Sequence, residues 1–246
     1  MVRDMDGIYD TDQFKKDLQE FHITLTDIQI QQFLKYYEML TQWNKVMNLT
    51  AITEYGEVMK KHFVDSLSLA KACNLSTGLS LLDVGTGAGF PGLPLKIAFP
   101  NLKVTLLDSL SKRIQFLQAV IEELGLKDVK ALHGRAEDFA KPTLMREQFD
   151  ICVSRAVANM TLLSEYCLPF VKEGGVFISY KSEKLEEEIG EAEKAIKLLG
   201  GKVEEQVKMR LPDSDIFRNL FVIRKVAPTP KSFPRKAGLA AKDPIR

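Results

Sequence analysis

The sequence predicts an α/β protein: a mostly parallel seven-stranded sheet, an antiparallel last strand and a helical amino-terminal region. Three observations predict it. Apolar residues recur at helical spacing, with no strand-like run, up to about residue 78. From residue 79 short apolar runs alternate with helical segments, which calls for a parallel sheet covered on both faces. The last two runs follow each other with no helix between them, so that pair is antiparallel.

The elements follow in order. Phe14, Leu18 and Phe21 fall on one helical face, and Thr26 with Gln29 forms a capping box that opens a second helix carrying Phe33, Tyr37 and Leu40. A third helical stretch, 54–72, carries Val58, Phe63, Leu67 and Ala70. Strands are expected at 79–84, 103–108, 128–133, 149–154, 176–181, 202–211 and 218–226. Helices are expected after Gly92, from Ser111 to Gly125, over 161–171 and over the charged run 183–199. Prolines 228, 230, 234 and 244 break any regular element beyond Val226. The chain therefore divides into a helical region (1–75), a sheet domain (76–226) and an irregular basic tail (227–246).

Composition narrows the class. With 45% hydrophobic and 27% charged residues among 246, the chain is an ordinary globular one, neither disordered nor collagen-like. Asp83, Lys96, Lys103 and Asp108 interrupt the most apolar region, so no membrane helix is expected. The acidic start, MVRDMDGIYD, lacks the apolar core of a signal peptide. Cys73, Cys152 and Cys167 form no CxxC pair and no zinc spacing, so a reducing, cytoplasmic setting without a metal is expected. The net charge of +1 hides an asymmetry. From Arg224 onward seven basic residues face the single Asp243, a local charge of +6, against 27 basic and 32 acidic residues elsewhere. Such a tail reaches an anionic partner or is a solvated terminus.

The strongest signal is LLDVGTGAGFPG, residues 81–92. A buried strand ends beside Asp83, and glycines at 85, 87, 89 and 92 permit close backbone approach to a ligand ahead of a helix. Gly87, Gly89 and Gly92 match GxGxxG, with Asp108 placed at the end of the next strand for ribose hydroxyls; alone, this is a dinucleotide fingerprint and points to a nicotinamide-dependent oxidoreductase. Three details favour S-adenosylmethionine. Asp83 suits a cationic sulfonium and ammonium better than a pyrophosphate. The RAED run, 135–138, follows the third strand where an amide and a carboxylate can read an adenine edge. The helix-free last strand pair is the signature of class I methyltransferases, which have a Rossmann-like sheet.

Six segments then occur in the order found in one family: WNKVMNLTAI (43–52), KHFVDSL (61–67), LLDVGTGAGFPGLPLKI (81–97), LLDSLSKRIQFL (106–117), GRAED (134–138) and SRAVA (154–158). The chain resembles the bacterial small-subunit ribosomal RNA guanine-N7 methyltransferases, also called glucose-inhibited division protein B, from about Trp43 to Lys181. The resemblance implies S-adenosylmethionine-dependent methylation of one guanine N7 in 16S ribosomal RNA, and leaves open whether naked RNA or the small subunit is the substrate; a monomer is the default expectation. It places Gly85, Phe90, Ala136 and Glu137 in the cofactor site, beside Asp83 and Gly87. Asp108 and Ser109 are to meet the ribose and adenine, and Arg155 is to stand at the pocket edge in a positioning role.

Guanine N7 has a lone pair and no proton, so no general base and no Ser-His-Asp or cysteine constellation is expected; none is evident. There is no [DN]PP[YF] run for an exocyclic amine, and Cys152 reads as a small core residue. Arg155 has two readings, a contact to the methionine carboxylate or one to an RNA phosphate. His62 with Asp65 reads as a surface pair in a structural role, His133 faces pocket or solvent, and His22 ends a helix. Trp43 packs in the helical region or stacks on a base, and Lys181 is placed for a phosphate. A non-catalytic RNA-binding protein that retains the cofactor fold is the reading from a different class.

Overall fold

The computed structural model describes residues 9–155, 158–181 and 185–245. The acidic start up to Ile8, Ala156 and Val157 of the SRAVA run, Glu183 of the charged run and Arg246 of the basic tail lie outside the described residues.

Seven strands form one sheet in the order β3-β2-β1-β4-β5-β7-β6. They are β1 (Ser80–Val84), β2 (Lys103–Asp108), β3 (Val129–His133), β4 (Phe149–Ser154), β5 (Val171–Lys181), β6 (Gly201–Arg210) and β7 (Phe217–Lys225). The first five pair in parallel; β7 lies antiparallel to both β5 and β6. This is the sheet the sequence predicts, reversal at the end included.

The helices are α1 (Asp12–Gln19), α2 (Asp27–Met47), α3 (Tyr55–Val58), α4 (Asp65–Leu67), α5 (Gly92–Ala98), α6 (Ser111–Glu123), α7 (Ala136–Phe139), α8 (Met160–Cys167), α9 (Leu185–Leu198) and α10 (Leu239–Lys242). Side chains alternate across the sheet and build a core on each face. Leu81, Val104, Leu106 and Ile178 meet the amino-terminal helices, α5 and α6, whereas Leu82, Leu107, Cys152 and Phe177 belong to the core shared with α8 and α9. Phe14, Leu18, Phe33 and Phe63 share the first core with the strands, so the helical region covers a sheet face.

Local chemistry fixes that docking. Thr26 and Gln29 form the expected capping box on α2. The same Gln29 side chain donates to Ile97 O at 2.7 Å and Ala98 O at 3.2 Å, while Gln32 donates to Leu124 O at 2.9 Å, so α2 satisfies carbonyls at the ends of α5 and α6. Trp43 packs on Phe116, as expected.

Three boundaries differ from expectation. The helix over 161–171 stops at Cys167, and a 3-10 turn over Leu168–Phe170 with Pro169 in its first turn leads into a strand that starts at Val171. The Gly174–Gly175 pair lies within β5 beside a register shift against β4, and a Cβ on Gly175 would lie 2.7 Å from Asp150 O. Between α3 and α4 the helix widens into a π-helical turn, Met59–Val64. The tail is irregular except for α10, and it is docked rather than free.

Candidate active site

The glycine loop follows β1 and folds around Asp83. Gly85, Gly87 and Gly89 have φ of 73°, 62° and 102°, which L side chains rarely adopt. Asp83 is fully buried, and its Oδ2 accepts from Thr86 Oγ1 at 2.6 Å and from Gly92 N at 2.8 Å. Burial pushes its carboxyl up to about 6, opposed by those hydrogen bonds and by Arg155. From below, Tyr36 on α2 donates its buried hydroxyl to Ala88 O. A Cβ on Gly89 would lie 2.6 Å from both Tyr36 Oη and Leu93, so the helix and the loop touch without room for a side chain.

Between this loop and α7 and α8 opens a cavity of about 430 Å³, at the carboxyl ends of β1, β2 and β4. Gly85, Asp108, Ser109, Ala136 and Glu137 line it, together with Tyr166. The structure thus brings five of the expected residues to one cavity. Asp108 is nearly buried; its Oδ2 accepts from Gly87 N at 2.9 Å and its Oδ1 from Leu110 N at 2.9 Å, with Arg113 3.1 Å from Oδ2. Glu137 Oε1 accepts from Gly238 N at 2.9 Å. Ala136 opens α7, where a helix leaves amides without an intrahelical partner. His133 is exposed on the edge strand and its Nε2 meets Ser109 O at 3.1 Å.

Four expected residues stand outside that lining. Asp83 is beneath the loop, where a buried carboxylate holds Thr86 and Gly92 instead of facing the cavity. Gly87 spends its N–H on Asp108. Phe90 is buried, stacked between Tyr36 at 5.5 Å and His62 at 4.4 Å. Arg155 lines a second cavity.

That second cavity, of about 600 Å³, is lined by Lys61, His62, Asp65, Arg155, Lys181 and Arg218 among others. Its centre is Asp65, 1% exposed, whose Oδ2 meets Arg155 Nη1 at 3.0 Å while Oδ1 meets Arg218 Nε at 2.7 Å. The Arg155 guanidinium lies 5.1 Å from the Phe90 ring centroid, a cation–π contact. Its Nη2 faces His62 Nδ1 at 3.3 Å. Burial first, and then the Arg155 charge, push His62 down to about 3. The ring is therefore neutral at pH 7; with Nδ1 accepting from Arg155, Nε2 donates to Thr50 Oγ1 at 2.9 Å. Lys181 Nζ donates to Ala158 O at 2.5 Å and Glu188 at 2.7 Å. Ala158 lines both cavities, so they adjoin there.

His62 and Asp65 are thus not the surface pair expected. The segment 58–69 is apolar or buried along nearly its whole length, and polar groups in such a helix have to be paired inside the protein. Arg218 and Tyr36 went unread because their partners lie far away in sequence.

Likenesses to known proteins now decide the family. The family model described as GidB, rRNA small subunit methyltransferase G, matches residues 29–217. The chain belongs to that family. It is 56% identical over 236 residues to the ribosomal RNA small subunit methyltransferase G of Lachnoclostridium phytofermentans, covering 96% of this chain and 98% of the relative. The namesake of Alkaliphilus metalliredigens is 53% identical, over 94% and 97% of the two chains. Among solved structures, an S-adenosylmethionine-dependent methyltransferase from Aquifex aeolicus superposes with a TM-score of 0.52 at 21% identity, over 69% of this chain and 94% of the other. As a member of the methyltransferase G family the chain is an S-adenosylmethionine-dependent methyltransferase with the class I, Rossmann-like fold. The nicotinamide reading of the glycine loop is not favoured.

The residues at hand fit that cofactor. The cavity's volume suits a nucleoside-sized ligand. The ligand's ribose hydroxyls, adenine amino group and ammonium are donors, and the Asp108 and Glu137 carboxylates in the lining are acceptors.

Proposed function

We propose that this chain methylates N7 of a guanine in 16S ribosomal RNA, with the cofactor in the glycine-loop cavity and the target base in the Asp65–Arg155 cavity. One observation carries the reading: two cavities of the right sizes adjoin at Ala158, on the side of the sheet where ligands bind in such folds. The relatives bear ribosomal RNA methyltransferase names, which supports an RNA substrate.

Gly85, Ser109 and Ala136 offer backbone to the cofactor, Asp108 and Glu137 offer carboxylates, Gly87 fixes the Asp108 carboxylate, and Asp83 and Phe90 hold the loop from behind. The bound cofactor supplies an electrophilic methyl group on a positively charged sulfur. Guanine N7 carries a free lone pair, so no residue has a proton to remove, and the neutral His62 is not required as a base. The chain's residues align the base and keep water out. Arg155, fixed by Asp65, His62 and the Phe90 ring, positions the base or its phosphate.

The residues 1–75 and 227–246 flank a methyltransferase domain, 76–226, and the protein works as a cytoplasmic monomer. Among the described residues no helix is long and apolar enough to cross a membrane, in keeping with that setting.

The test is transfer of tritium from labelled S-adenosylmethionine to small subunits from cells lacking the protein, mapped by borohydride–aniline cleavage at N7-methylguanosine. A single cut in 16S RNA, absent with Gly85→Val or Arg155→Ala, is expected. Cofactor binding with no label in RNA overturns the assignment in favour of a non-catalytic RNA-binding protein.

A further inference from the structure

We infer that the carboxyl-terminal tail is a positioning part of the cofactor site: Arg235 docks on Glu165, and the Gly238 amide then holds Glu137 in the cavity wall. This rests on the reading that the glycine-loop cavity takes S-adenosylmethionine.

The tail's basic residues predict an arm that reaches outward, yet three of them are used inside the chain. Arg224 pairs with Glu204, and Lys225 is fully buried on Glu147, Leu168 O and Val171 O. Arg146, which precedes Glu147, donates to the carbonyls of Thr229, Pro230 and Phe233. Beyond these, Arg235 grips Glu165 with both ends of its guanidinium, at 2.9 and 2.6 Å, and its backbone N–H adds a third bond at 3.1 Å. Glu165 is 1% exposed, and no other ion pair to it occurs among the described residues, so its charge is kept inside the protein by the tail. The next residue, Tyr166, lines the cofactor cavity.

Three residues after Arg235 the backbone turns left-handed at Gly238, φ 81°, and its N–H meets the Glu137 carboxylate at 2.9 Å. Glu137 is 6% exposed and lines the cavity next to Ala136. A Cβ at Gly238 would lie 3.7 Å from Arg135 Nη1, so the tail passes beside the same wall segment. Ala240 of α10 is 1% exposed, and α10 packs on α8. Two walls of the cavity, α7 and α8, are thus held together by one strap that follows the last strand. By linkage, a ligand that needs these walls in place tightens the strap, and loss of the strap weakens the ligand by the same factor.

The experiment uses S-adenosylhomocysteine and the full chain. Calorimetry on the intact protein first asks whether the ligand binds at all; absence of binding removes the cofactor reading and is seen separately. With binding established, hydrogen exchange of amides 235–243 is expected to slow several-fold on ligand addition, while that of the exposed β3 edge does not. A chain ending at Pro230 is expected to bind about tenfold more weakly, with a raised KM for S-adenosylmethionine and an unchanged KM for RNA. Unchanged exchange in the tail overturns the inference whether or not the shortened chain folds. So does a folded shortened chain with unaltered ligand affinity and a raised KM for RNA, which marks an RNA-binding arm.

Discussion

Asp65 governs where two arginines point. Its carboxylate is buried, whereas the Arg155 and Arg218 side chains are 16% and 23% exposed. Asp65→Asn is expected to cost about 3 kcal/mol in urea unfolding, because two guanidiniums lose their counter-charge in a poorly solvated place. At a temperature where the variant stays folded, kcat should fall while S-adenosylhomocysteine affinity barely changes. Tyr36→Phe removes the donor to Ala88 O and is expected to cost about 1–3 kcal/mol through a buried carbonyl left without a partner. It should also weaken cofactor binding, since Tyr36 supports the glycine loop. Two titrating groups act in opposite directions on stability. His62 titrates near 3 in the fold and 6.5 in a free chain, so the unfolded state binds the extra proton and stability drops as pH falls below 6.5. Asp83 titrates near 6 instead of 3.8, so the folded state binds the extra proton and stability drops as pH rises through that window. Between pH 7 and pH 5 the first costs about 2 kcal/mol and the second returns about 1. Urea midpoints at both pH values should therefore show a shallow acid slope, steeper in Asp83→Asn and reversed in sign in His62→Gln, which should be more stable at pH 5 than at pH 7.

At the scale of elements, seven strands and most helices were legible because alternation and helical period are local properties. The capping box at Thr26 held for the same reason. Gly85, Asp108 and the 135–138 run with Ala136 and Glu137 were legible because each sits at or just past a strand whose end the sequence marks, whereas Ser109 came only with the family resemblance. What was not legible is contact between distant segments. Nothing near Phe90 announces that His62 and Tyr36 will flank it, and nothing near Gly238 announces Glu137. The π-helical turn at Met59–Val64 is equally silent, since no apolar period distinguishes it from an α-helix. Gly89→Ala tests one such contact. The added methyl group meets Tyr36 and Leu93 at a backbone angle that L residues rarely adopt, so α2 and the loop have to separate. A melting temperature lowered by several degrees and a higher KM for the cofactor are expected.

At the scale of the whole molecule, the helical region and the sheet share an apolar core. A fragment beginning at residue 76 would expose the face that Phe14, Phe33 and Phe63 now cover, and it is expected to be insoluble or to bind a hydrophobic dye strongly. Recovery on adding the separately made amino-terminal segment would fit a face that needs only its cover. The adjoining of the two cavities at Ala158 bears on inhibitor chemistry. An adenosine analogue and a purine tethered by a linker short enough to pass that residue would fill both chambers at once. The second ring would arrive at an effective concentration set by the tether instead of by its own dilution. Such a molecule should outcompete either half by orders of magnitude. It should also discriminate between this enzyme and other users of the same cofactor, because the selective half rests on the arginine pair and not on the glycine loop.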